Sequence, residues 1–77
     1  MEIDPAAEPF PYQQLAALLR ERILAGEFPP GTAIPSIVRL EQETGLSVKT
    51  IRRAVRVLAE EGLVRVTPGR GAFVLPR

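Results

Sequence analysis

Gly45-Leu46-Ser47-Val48-Lys49-Thr50-Ile51-Arg52-Arg53-Ala54-Val55-Arg56-Val57-Leu58-Ala59-Glu60-Glu61-Gly62 is the stretch that decides the fold. Ile51, Ala54, Val55 and Leu58 stand at i, i+3, i+4 and i+7, which at about 100° per residue gathers them on one side of a helix. Lys49, Arg52, Arg53 and Arg56 repeat that spacing two residues earlier and fall on the other side. One side is core and the other uniformly cationic. The Ser47 hydroxyl can accept an orphan amide of the first turn and Gly62 can end the helix, so it is predicted to run from Val48 to Glu61. Surface helices ordinarily place acids four residues from their bases to relieve repulsion. Here the nearest acids are Glu60 and Glu61, at the end where the helix dipole favours cations, so they are placed for some reason other than dipole complementarity.

Upstream, Ser36 caps a short second helix that carries Ile37 and Leu40 inward and ends near Thr44-Gly45. Gly45 takes a positive φ cheaply, so the chain turns sharply and Leu46 packs down. Leu15, Leu18, Leu19 and Ile23, at helical spacing, predict a first helix from Tyr12 to Ala25, with all four in the core and Gly26 ending it. Phe28-Pro29-Pro30-Gly31 forms a connection, and Thr32-Ala33-Ile34 has room only for a short strand before Pro35. Pro5, Pro9 and Pro11 make residues 1–11 a flexible or extended arm. Downstream, residues 63–66 and 72–75 read as strands joined by the turn-forming Thr67-Pro68-Gly69-Arg70-Gly71. The fold class is α+β, mainly α, with three helices and a small hairpin. The expected domain covers residues 12–75, followed by a short tail at 76–77.

The chain has 77 residues, neither Cys nor His, 45% apolar side chains and a formal net charge of +1. A domain of this size buries only about 60% of its unfolded surface, which leaves no room for an enclosed substrate cavity. Without Cys or His there is no disulfide, zinc finger, imidazole base or thiolate nucleophile. No enzyme, cofactor or metal site is expected. No apolar run approaches the roughly 18 residues of a membrane span, and the N-terminus lacks a signal peptide's basic flank and apolar core, so a cytoplasmic module is expected. The charge of +1 averages two unlike halves. Residues 1–43 hold seven acids and three bases, whereas residues 44–77 hold seven bases and two acids. A polyanionic partner for the second half follows.

A cationic helix preceded by a short helix and a glycine turn is the helix-turn-helix arrangement, whose second helix enters the DNA major groove. By itself the stripe fits a solvated surface equally well; the turn and the hairpin decide for the groove. Arginine's planar donor fork matches phosphate and guanine O6/N7. Ser47, Lys49, Thr50 and Arg53, near the helix start, are expected at base edges or adjacent phosphates, and Arg52 and Arg56 at phosphates along the groove. Ser36 and Ser47 act first as caps, and a cap hydroxyl can also face a phosphate. The Gly69-Arg70-Gly71 tip suits a wing in the neighbouring minor groove.

Tyr12-Gln13-Gln14-Leu15, residues 26–31 (Gly-Glu-Phe-Pro-Pro-Gly), Ile34-Pro35-Ser36, Gly45-Leu46-Ser47, Thr50-Ile51-Arg52-Arg53-Ala54, Glu61-Gly62-Leu63-Val64 and residues 69–74 (Gly-Arg-Gly-Ala-Phe-Val) together resemble the winged helix-turn-helix domain of the GntR family of bacterial transcription regulators, from about Pro11 to Val74. The resemblance implies a DNA-binding, repressor-type regulator; sequence-specific binding to double-stranded DNA, as a homodimer on a two-fold site, is the expected mode. It also implies DNA contacts at Ser47, Lys49, Thr50, Arg52 and Gly69. The chain departs from the pattern at Val38 and Val48, where the family usually carries contacting arginines, and at Glu41 and Thr44, where it carries small and apolar residues. Arg39 and Lys49, one position along and so rotated by about 100°, supply charge nearby. Family members normally continue into an effector-binding, dimerising domain; this sequence stops at Arg77, and no effector site is expected within it. A competing reading makes the winged helix a protein-interaction module, docking through its acidic half or arm, with little DNA affinity at moderate salt. A membrane-surface helix is excluded because the core needs the apolar face of the third helix.

Overall fold

The computed structural model describes Ile3, Asp4, Ala6 and residues 10–77. Three helices, α1 (Pro11–Leu24), α2 (Ile37–Thr44) and α3 (Val48–Glu60), precede an antiparallel hairpin of β1 (Val64–Thr67) and β2 (Gly71–Val74). Leu15, Leu19, Leu40, Ile51, Leu58 and Val64 are fully buried, so each helix and β1 anchors in one core. Burial of each such side chain stabilises the fold by about 1.5–3 kcal/mol. Among the described residues no helix is long and apolar enough to cross a membrane.

The helix boundaries follow from their caps. Pro11 opens α1, one residue before the expected start, because a proline at N1 gives up only an amide that has no helical partner. The Gln13 side chain reaches back to accept the Phe10 N–H at 3.1 Å. The described part of the arm is not free: Gln14 accepts the Asp4 N–H at 3.0 Å and donates to the Asp4 carbonyl at 2.7 Å, and Ile3 lies against the core. The remainder of the arm expectation falls on residues outside those described. Leu18 is only half-buried, contrary to the expectation from spacing, because the inward arc of α1 runs through Leu15, Ala16, Leu19 and Ile23. At about 100° per residue that arc turns Leu18 toward the rim.

The expected strand at residues 32–34 is reduced to a bridge between Ala33 and Phe73. Backbone bonds Gly31 N–H to Val74 O (2.8 Å), Val74 N–H to Thr32 O (2.9 Å) and Ile34 N–H to Ala72 O (2.9 Å) still lay it along β2. Prolines on both sides stop it from lengthening. It covers the outer edge of the hairpin, lowers Ile34 into the core and delivers the chain to the start of α2.

Candidate nucleic-acid interface

The α2–α3 connection fixes the helix that carries the cations. Ser36 and Ser47 both act as N-caps: Ser36 Oγ accepts the Arg39 N–H at 3.1 Å and Ser47 Oγ accepts the Thr50 N–H at 3.2 Å. Ser47 Oγ also donates to Thr50 Oγ1 at 3.0 Å, which leaves the Thr50 hydroxyl proton for an outside acceptor. Thr44, polar where an apolar residue is usual, closes the turn: its hydroxyl donates to the Leu40 carbonyl at 2.6 Å and accepts the Leu46 N–H at 3.1 Å. Gly45 follows at φ 73°.

At the other end of α3, the structure supplies the reason for Glu61: it is held by α1. Arg20 on α1 grips it with two parallel bonds, Nε to Oε1 at 2.7 Å and Nη2 to Oε2 at 2.6 Å. This hydrogen-bonded fork, more than the charge attraction, holds the Glu61 carboxyl below the ordinary glutamate range and lifts the Arg20 guanidinium above its own. Both ends of the cationic helix are therefore pinned to neighbouring elements.

The four cations of α3 do not form a single strip. Arg52 and Arg56 face a cleft of about 660 Å³ between α3, the start of α2 and the hairpin, which also receives Ser36, Gly69 and Arg70. Among the described residues no carboxylate lines it. Lys49, Thr50 and Arg53 face a smaller hollow of about 320 Å³ on the α1 side, closed by Phe10, Pro11 and Tyr12. There the Arg53 guanidinium lies over the Tyr12 ring, 3.9 Å from its centre. Such a stack is worth about 0.5–1 kcal/mol at an exposed site and holds Arg53 toward α1. Arg39 belongs to neither recess; it is exposed and pairs with Glu43 at 3.3 Å. Among the described residues the ion pairs are Arg20–Glu61, Arg22–Glu27 and Arg39–Glu43, so no carboxylate neutralises Lys49, Arg52, Arg53 or Arg56.

Three residues of this surface were not among the expected contacts. Tyr12 was legible as an aromatic at the start of α1, but its partner lies 41 residues away in sequence. Val38 and Val66, 63% and 51% exposed, put apolar surface into the arginine-lined cleft. For Val38 the signal was present, as a valine where a charged contact is usual.

Residues 11–74 match the family described as bacterial regulatory proteins, gntR family. Over 63 residues the chain is 40% identical to the mannosyl-D-glycerate transport/metabolism system repressor MngR of Escherichia coli, covering 82% of this chain and 26% of MngR. The chain thus spans about a quarter of that relative's length. Among solved structures, YtrA from Sulfolobus acidocaldarius, a GntR-family transcription factor, superposes with a TM-score of 0.85 at 32% identity over 97% of this chain and 79% of that one. The DNA-binding domain of AraR in complex with operator ORX1 superposes with a TM-score of 0.86 at 32% identity, covering 96% of this chain and 94% of that one.

Proposed function

Because the chain belongs to the GntR family of bacterial regulators, we propose that it is the winged-helix module of a transcription repressor and acts by occupying an operator in double-stranded DNA. The observation that carries this reading is the face of α3, where Lys49, Arg52, Arg53 and Arg56 have no carboxylate partner among the described residues and Arg52 and Arg56 border a cleft edged by Arg70. The similarity to an AraR domain held on its operator supports the same docking. The major groove, about 12 Å wide, admits α3. Ser47, Lys49 and Thr50 then lie nearest the base edges. Arg52 and Arg56 face the phosphates bordering the cleft, and Ser36 offers its cap hydroxyl to the same strand. Gly69 and Arg70 approach the adjacent minor groove. Arg53, held by Tyr12, serves the strand on the α1 side, and Arg39 adds charge only when released from Glu43.

One such module covers roughly 600–1,000 Å², at the low end for specific DNA binding, so two copies on a two-fold operator complete the reading. Selection of binding sites from random duplexes at two salt concentrations tests it. A repressor module enriches one palindrome, with log affinity falling by about 0.9 per neutralised phosphate per decade of salt. Uniform recovery of all sequences would leave only a non-specific binder, and recovery of none would overturn the reading.

A further inference from the structure

We propose that Val38 reads the 5-methyl group of a thymine, which makes an A·T pair rather than a G·C pair the preferred base at the position facing the start of α2. The inference rests on the DNA-binding reading above and names a base that this site selects. Val38 is the second residue of α2, two after its Ser36 cap, and 63% of its surface is exposed. It is not needed for packing, because α2 already anchors through the fully buried Leu40. It lies on the cleft shared by Arg52, Arg56 and Arg70, whose lining contains no acid among the described residues. A recess with three guanidiniums, no carboxylate among the described residues and an otherwise largely apolar lining fits an anionic ligand that also offers apolar surface, as a DNA strand does.

Valine has no donor for guanine O6 or N7 and no acceptor for the amino groups of cytosine or adenine. The apolar feature of the major-groove edge is the thymine methyl. Arg52 and Arg56, on the same cleft, hold the flanking phosphates and so fix the distance at which that contact is made. A branched aliphatic side chain left in water among cations gains nothing; against a methyl group it buries surface on both partners.

The experiment uses the full 77-residue chain and the duplex it enriches from a random pool. Each thymine of that duplex is replaced in turn by deoxyuridine, which removes the methyl and keeps the pairing. Binding is measured for the unaltered chain and for Val38→Ala, a change at an exposed position that leaves the core intact. At one thymine per half-site, loss of the methyl is expected to weaken the unaltered chain about fourfold, the worth of one buried methylene-sized group. The same replacement weakens Val38→Ala by clearly less, because the alanine methyl alone covers less of the thymine. If the unaltered chain is indifferent to every deoxyuridine, or Val38→Ala keeps the full penalty, the inference is overturned while the DNA-binding reading stands. If no duplex is enriched or bound, both fall together.

Discussion

The helices α2 and α3 begin and end alike, each opening at a serine cap and closing at a left-handed glycine, Gly45 and Gly62. Each starts at a serine hydroxyl that accepts the amide three residues on, and each turns an apolar stripe into the same core. They part company in their charge. α2 carries Glu41 and Glu43, and its one base, Arg39, is tied to Glu43. α3 carries four bases between Lys49 and Arg56, none paired with a carboxylate among the described residues. Capping and amphipathicity therefore make the helices, and the segregation of acids from one of them makes the surface. On this view α2 is chiefly a support that sets the start of α3 and presents Ser36 and Val38.

The largest effect should come from removing that charge difference. With Arg52 and Arg56 both replaced by alanine, two phosphate contacts are lost, and affinity for the selected operator should fall about thirtyfold at 0.15 M salt, with the salt slope shallower by about 1.8. Arg39→Ala, which removes a base already half-neutralised by Glu43, should change affinity less than about threefold, a single weak contact at most. Fluorescence anisotropy across a salt series reads both quantities. Equal losses at α2 and α3 would break the distinction between support and surface.

A smaller effect tests how α2 ends. α2 stops at Gly45, whose φ of 73° is left-handed, and a Cβ added there meets nothing within 4 Å. Gly45→Ala therefore pays for conformation alone, about 1–2 kcal/mol, and thermal unfolding should shift down by about 4–8 °C for each kcal/mol. Gly45→Asn, which tolerates this conformation better, should recover part of the loss. If alanine is neutral, the turn relaxes without the left-handed residue and the geometry of the connection is less constrained than its caps imply.

Much of this was legible in residue spacing, and what was not depends on distance along the chain. The bounds of α2 and α3, both serine caps, the Gly45 turn and the hairpin follow from local chemistry, and the structure places each within about a residue. Ala16 in place of Leu18 could not be read, because which way α1 rolls depends on the shape of α3 beneath it. The four cations read as one stripe from periodicity, and only the positions of α1 and the hairpin divide them into two recesses. Glu61 was visible as an anomaly, an anion where the dipole opposes it, while Arg20 lies 41 residues back and no local rule connects them. Tyr12 under Arg53 is the same kind of pair.

The end of α3 gives the smallest effect and the clearest sign. Glu61 caps α3 against the helix dipole and is compensated by Arg20, whose fork holds the carboxyl below its ordinary range. A carboxylate whose folded pKa lies below its unfolded value of about 4.3 binds protons more weakly in the native state. Its stabilisation is fully present above that unfolded value and fades as pH falls through the lower folded one. Both side chains are more than a third exposed or close to it, at 34% and 38%, so solvent and salt screen the pair and its worth is under about 1 kcal/mol. Glu61→Gln should thus be slightly less stable than the unaltered chain at pH 7, and the two should converge on acidification below about pH 4. Urea unfolding from pH 7 to pH 3 measures the gap. A gap that stays constant would mean the carboxylate acts only as a shape at the end of α3. In that case α3, like α2, would be closed by its left-handed glycine alone, and the ion pair would add nothing to its end.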